Sequence, residues 1–133
     1  MSRPTIAVTM GDPAGIGPEI VARALAQREV REACDPVVVG DPRLMFRAME
    51  LVRAGLTIRT VQTARGAGAD PDTLDVLPAG ALAPEVLKAG TLDARWGEAA
   101  AACCRKAGEL AKAGEVAGIA SAPFNKEAFH MAG

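Results

Sequence analysis

Short apolar runs alternate with amphipathic stretches along most of the chain, and each such pair predicts a strand followed by a helix. TIAVTM, residues 5–10, predicts a buried strand, and PEIVARALAQREVREA, residues 18–33, predicts one continuous helix with proline at its first position. PVVVG, residues 36–40, repeats the strand. PRLMFRAMELVRAG, residues 42–55, repeats the helix, opening on Pro42 and closing on Gly55, residues that suit a helix's two ends. TIRTVQ, residues 57–62, predicts a third strand, with an exposed Gly- and Asp-rich loop behind it over 63–73. TLDVLP, residues 73–78, predicts a short edge strand stopped by Pro78.

The period is broken over GALAPEVLKAGTLD, residues 80–93, where Gly80, Pro84 and Gly90 predict an irregular connection. DARWGEAAAACCRKAGELAKAG, residues 93–114, then predicts a long Ala-rich helix ended by Gly114. VAGIASAP, residues 116–123, predicts another buried strand, and NKEAFHMAG opens as a helix with Asn125 suited to the N-cap. This alternation predicts an α/β fold, a parallel or mixed sheet with helices on both faces, in a single domain over 1–133. A strand and the opening of its next helix stand at the end of the chain, so the layer reads as incomplete.

Composition narrows the classes. At 133 residues the chain has room for one core, half its residues are apolar, and its formal net charge is −1. That balance offers nothing to attract nucleic acid or an anionic membrane, and the N-terminal apolar run is too short for a signal core or a span. The three cysteines are odd in number, and Cys103 and Cys104 are adjacent in an Ala-rich helix. They suggest small core residues in a reduced cytoplasm, not a disulfide framework.

The common catalytic signatures are missing. There is no HExxH, no CxxC and no GxSxG, and the lone His130 reads as a surface or packing side chain. Two turns at strand ends carry more. GDPAGIGPE places Gly11, Asp12, Gly15, Gly17 and Glu19 between a strand and a helix, where backbone N–H groups and the helix dipole can receive a ligand. The spacing of its glycines is neither the dinucleotide fingerprint nor a P-loop, and Asp12 and Glu19 repel phosphate. Their carboxylates suit ribose hydroxyls, an ammonium group or a bound cation better. The bland alternative is a tight turn whose glycines allow unusual backbone angles and close packing. SAPFNKEA, residues 121–128, is a second polar turn at a strand's carboxyl end, where ligands of open parallel sheets bind. Lys126 there could meet a phosphate or carboxylate.

VTMGDPAGIGPEI near the start and LDARWGEAAAACCRKAGELAKAGEVAGIASAPFNKEAFHMAG at the end resemble the N-terminal part of the 4-hydroxythreonine-4-phosphate dehydrogenase family. The likeness extends over essentially the whole chain, and the first motif is also similar to the GDGIGPE loop of isocitrate and isopropylmalate dehydrogenases. The resemblance implies an α/β fold of the isocitrate/isopropylmalate-dehydrogenase type, incomplete here, in a cytoplasmic homodimer. It implies oxidation and decarboxylation of 4-phosphooxy-L-threonine with NAD or NADP for pyridoxal phosphate synthesis, or action on D-threonate or D-erythronate 4-phosphate. A divalent metal, zinc, magnesium or cobalt, is implied as well.

The same resemblance places the family's G-H-T motif and three metal histidines beyond residue 133, and His130 matches none of them. No catalytic residue and no metal ligand is therefore transferred. It implies that Gly11, Asp12, Gly15, Gly17 and Glu19 line the cleft or touch cofactor, and that Asn125 and Lys126 lie near substrate. From another class altogether comes the expectation of a catalytically inert small binding domain that has kept the scaffold.

Overall fold

A computed structural model describes residues 3–13, 15–79 and 94–122. Its elements run β1 (Thr5–Thr9), α1 (Gly17–Leu25), α2 (Arg28–Ala33), β2 (Asp35–Gly40), α3 (Pro42–Val52), β3 (Thr57–Thr60), β4 (Thr73–Pro78), α4 (Ala94–Lys112) and β5 (Gly118–Ser121). Among the described residues the five strands form one sheet in the order β3-β4-β2-β1-β5, and every pairing is parallel. The connections from β1 to β2 and from β2 to β3 step one way across the sheet, the link from β3 to β4 steps back, and the connection through α4 carries the chain past β2 and β1 to β5. With right-handed crossovers, these opposite steps set α1 and α3 on one face and α4 on the other.

The sequence explains the layers. Val37, Val38 and Val39 of β2 have no exposed surface, as a central parallel strand covered on both faces requires. On α1 the buried side is Val21, Ala22 and Leu25, and on α3 it is Leu44, Met45, Ala48 and Met49, each set spaced for one helical stripe. The two helices pack against each other as well as on the sheet. α4 turns Trp96, Ala99, Ala100, Cys103, Ala107 and Leu110 inward, so small residues let it lie close on β1, β2 and β5.

Three elements differ from the sequence expectation, and one of them is the strand expected to be buried over 116–123: β5 ends the strand order among the described residues, so Ile119, Ala120 and Ser121 are exposed. The helix expected over 18–33 is broken: Gln27 is extended, with φ −79° and ψ 128°, and α2 begins anew after it. No proline or glycine causes this. Arg31, 5% exposed, directs its guanidinium to the carbonyls of Leu25 at 3.3 Å, Gly68 at 3.2 Å, Asp70 at 2.6 Å and Thr73 at 3.0 Å. The break frees the Leu25 carbonyl, and Arg31 satisfies it while tying the 68–73 segment beneath the sheet; tertiary bonding overrides helix propensity.

The strand over 73–78 is also no edge. β4 lies between β3 and β2, and β3 takes the edge. Pro78 is tolerated because it closes the ladder opposite Gly40, after which the Ala79 N–H donates to the Gly40 carbonyl at 2.9 Å. Inside this pair Arg59 of β3 grips the Asp75 carboxylate through two bonds of 2.8 and 2.6 Å. The irregular connection expected over 80–93 and the helix expected from Asn125 lie outside the described residues.

Candidate functional site

β1 has β2 on one side and β5 on the other, and the chain reaches them by connections of opposite sense. That makes the carboxyl ends of β1 and β5 a topological switch point, where loops diverge and leave a crevice. Thr9 ends β1 in register with Ser121 of β5, and the Ala122 N–H donates to the Thr9 carbonyl at 3.3 Å. The stretch GDPAGIGPE and the beginning of SAPFNKEA therefore leave neighbouring strands at the same end. Asn125, Lys126 and His130 lie outside the described residues.

The first loop is shaped by its glycines where the backbone demands it. Gly11 has φ 79°, a left-handed conformation that turns the chain away from β1 at low cost only for glycine. Asp12 follows, 8% exposed, and its carbonyl accepts the Gly15 N–H at 3.1 Å, closing a turn. Gly15 lies over the Asp12 side chain: a methyl built there would stand 3.4 Å from the Asp12 Cβ. Gly17 and Pro18 open α1 and are buried, with Glu19 half-buried in the first turn. Ile16 occupies the N-cap and no side chain caps the helix, while Glu19 sets a carboxylate in its first turn, where it favours the positive end of the α1 dipole.

Behind the loop the support is rigid. The Met10 N–H continues the ladder to the Val39 carbonyl at 3.1 Å, and the Met10 side chain lies so close to Gly40 that an added Cβ would stand 2.7 Å from its own Cβ. Asp41, 1% exposed, caps α3 by accepting the Arg43 N–H at 2.9 Å and pairs with the Arg43 guanidinium at 3.3 Å. Cys103 is buried nearby and reaches the Ala79 carbonyl at 3.6 Å. Burial, with the charges of Cys104 and Asp41 adding to it, pushes the Cys103 thiol up to about 12, so it stays a protonated packing group.

Sequence reasoning passed over one group at this end. Among the described residues the buried Thr9 hydroxyl has no hydrogen-bond partner, and Thr9 ends β1 in register with Ser121, where the two loops part. A lone hydroxyl ending the apolar run IAV was the signal available. An orphaned buried hydroxyl marks a place where a ligand or water would be held.

Among the described residues no three His, Cys, Asp or Glu side chains are grouped to hold a metal ion. The described residues therefore offer no ligand set for the zinc, magnesium or cobalt that the resemblance implies. No helix among them is long and apolar enough to cross a membrane.

Residues 32–133 match the family described as pyridoxal phosphate biosynthetic protein PdxA. The chain belongs to the PdxA family. It is 42% identical over 132 residues to a 4-hydroxythreonine-4-phosphate dehydrogenase of Trichlorobacter lovleyi, covering 98% of this chain and 39% of that protein. It is 43% identical over 129 residues to a D-threonate 4-phosphate dehydrogenase of Pectobacterium atrosepticum, covering 96% of this chain and 39% of that protein. The crystal structure of a 4-hydroxythreonine-4-phosphate dehydrogenase from Burkholderia phymatum superposes with a TM-score of 0.93 at 39% identity, over the whole of this chain and 40% of that one. The PdxA relatives are thus dehydrogenases, this chain spans about two-fifths of their length, and the α/β fold is theirs.

Proposed function

We propose that this chain supplies one wall of the active cleft of an NAD- or NADP-dependent dehydrogenase. The enzyme would oxidise and decarboxylate 4-phosphooxy-L-threonine for pyridoxal phosphate synthesis. The observation that supports this most is the meeting of GDPAGIGPE and the start of SAPFNKEA at the carboxyl ends of β1 and β5, in a chain 42% identical to a 4-hydroxythreonine-4-phosphate dehydrogenase. A cytoplasmic homodimer belongs to the same reading.

The nicotinamide, when bound, supplies the hydride acceptor. The roles of this chain are positional. The carboxylate of Asp12, mostly buried under Gly15, accepts hydrogen bonds from hydroxyls or an ammonium of whatever occupies the cleft. Glu19 adds negative charge at the mouth, and the Thr9 hydroxyl offers a donor at its floor. Gly11, Gly15 and Gly17 give the loop its path, while Asn125 and Lys126 would meet the substrate's phosphate or carboxylate from the neighbouring turn.

A second reading, dehydrogenation of D-threonate or D-erythronate 4-phosphate, is favoured by the 43% identity to the D-threonate 4-phosphate dehydrogenase, which matches the 42% of the first relative. Both are tested together by following the formation of reduced nicotinamide by its absorbance. The full-length protein would be assayed with each phosphorylated acid and either nucleotide. Turnover with 4-phosphooxy-L-threonine alone establishes the first reading, and turnover with the aldonate phosphates alone establishes the second. Binding without turnover on any of them would sink both in favour of an inert binding domain.

A further inference from the structure

Thr9 and Ser121 are the last residues of two neighbouring parallel strands, and they stand opposite each other in register. Side chains so paired emerge on the same face of a sheet, about 5 Å apart. Their surroundings differ. Thr9 is 1% exposed, on a strand with neighbours on both sides, whereas Ser121 is exposed on β5, which among the described residues pairs only with β1. Both cleft loops leave the sheet at this pair, so Ser121 carries the hydroxyl that a ligand there can reach.

Among the described residues the Thr9 hydroxyl has no hydrogen-bond partner. An orphaned buried hydroxyl costs the fold stability, and valine would fill nearly the same space without that cost. Serine and threonine hydroxyls each donate and accept. Turning the exposed Ser121 side chain about its Cα–Cβ bond brings its oxygen within reach of Thr9; Thr9 then donates to Ser121 and leaves the Ser121 proton for a further acceptor. Asp12 and Glu19 in the neighbouring loop repel anions, while Ser121 is uncharged, so the acid oxygens of a ligand are better received on the β5 side.

We propose that Ser121 donates a hydrogen bond to an anionic oxygen of the phosphorylated acid in the cleft, and that Thr9 is a positioning residue that holds Ser121 in this rotamer by donating to its oxygen. Thr9 touches no ligand and acts through Ser121 alone. Two hydroxyls in series polarise each other and strengthen the outer bond. The identity of the ligand rests on the dehydrogenase reading.

The test measures, by calorimetry on the full-length protein, the binding of 4-phosphooxy-L-threonine and of D-threonate 4-phosphate to the parent, to Thr9→Val, Thr9→Ser and Ser121→Ala, and to the double variant Thr9→Val with Ser121→Ala. For the acid that the parent binds, Ser121→Ala is expected to weaken affinity about tenfold, the loss of one charge-assisted hydrogen bond. Thr9→Val should weaken it about threefold while its melting temperature without ligand equals or exceeds the parent's, and Thr9→Ser should keep the parent's affinity. In the double variant the Thr9 change should add nothing, because its effect passes through Ser121. Parent affinity in Ser121→Ala overturns the proposal, and so does a Thr9→Val effect of equal size in the Ser121→Ala background. A Thr9→Val protein that loses stability and keeps its affinity overturns it too, reducing Thr9 to a structural hydroxyl. Failure of the dehydrogenase reading looks different, as binding without turnover; a parent that binds neither acid overturns both.

Discussion

Asp12 and Asp75 are both buried carboxylates, but they serve different ends. Asp75 is held by the Arg59 fork at 2.8 and 2.6 Å and by the Gly68 N–H at 2.8 Å. Burial acts to raise its carboxyl, yet these hydrogen bonds and the nearby guanidinium charges outweigh it and hold the group below the usual carboxylate range. The folded-state group thus titrates below its unfolded counterpart, which lies near pH 4 as an order-of-magnitude reference. Its contribution is present at neutral pH and drains away as acid protonates it. Asp75→Asn should lower stability at pH 7 and flatten the loss of stability below about pH 4, read from denaturant midpoints across pH. An acid limb as steep as the parent's would contradict this role. Asp12 instead sits in the turn of the cleft loop, where Gly15 shelters its side chain. Asp12→Ala should therefore raise the KM for cofactor or substrate about tenfold, with little change in melting temperature. A lowered melting temperature with unaltered kinetics would instead make the loop a turn and nothing more.

Among the elements, the segment joining β3 to β4 turns on one glycine that no larger residue can replace without collision. Gly68 has φ 82°, donates to Asp75 and accepts from Arg31, and a methyl on it would run into the Pro36 carbonyl oxygen and stand 2.6 Å from the Asp35 carbonyl carbon. Gly66, two residues earlier, has φ 75° with open space around it. Gly68→Ala should cost about 3 kcal/mol or more from combined backbone strain and overpacking, and Gly66→Ala about 1 kcal/mol from strain alone. Equal midpoints in urea for the two variants would remove the backbone collision from the account. This contrast also shows what a sequence discloses. The strand at PVVVG and the start of α3 were legible because apolar spacing and Pro42 state them directly, whereas the helix ends at Val52 on a left-handed Arg53 and not at Gly55. The break at Gln27 and the interior place of β4 were not, since both follow from Arg31 and Arg59 finding partners dozens of residues away. Within the 63–73 loop nothing in the glycine count distinguishes Gly68 from Gly66.

At the scale of the whole molecule, the sheet order turns two separate sequence stretches into neighbours. Each loop was visible as a polar turn after an apolar run, but the adjacency of Thr9 and Ser121 required the β1–β5 pairing, which skips over three intervening strands. The Thr9 hydroxyl became noticeable only once its burial and lack of partner were known. At the amino ends of the strands Arg3, Arg28 and Arg31 line one cavity, and in the sequence they look like ordinary surface charge until the fold gathers them.

The parallel sheet has its least covered side along β5, where Ile119 is 47% exposed and Ala120 and Ser121 are exposed too. Among the described residues this strand pairs only with β1. A strand so placed is a template: its outward backbone groups can recruit any extended segment, including the same strand of another copy. Handled as the 133-residue chain, the protein should scatter light increasingly with concentration, and Ile119→Lys should suppress that scattering while leaving the far-ultraviolet circular dichroism intact. Scattering that persists undiminished in the lysine variant would clear β5 of the charge. What the cleft gains from an open parallel sheet, the bench meets as stickiness.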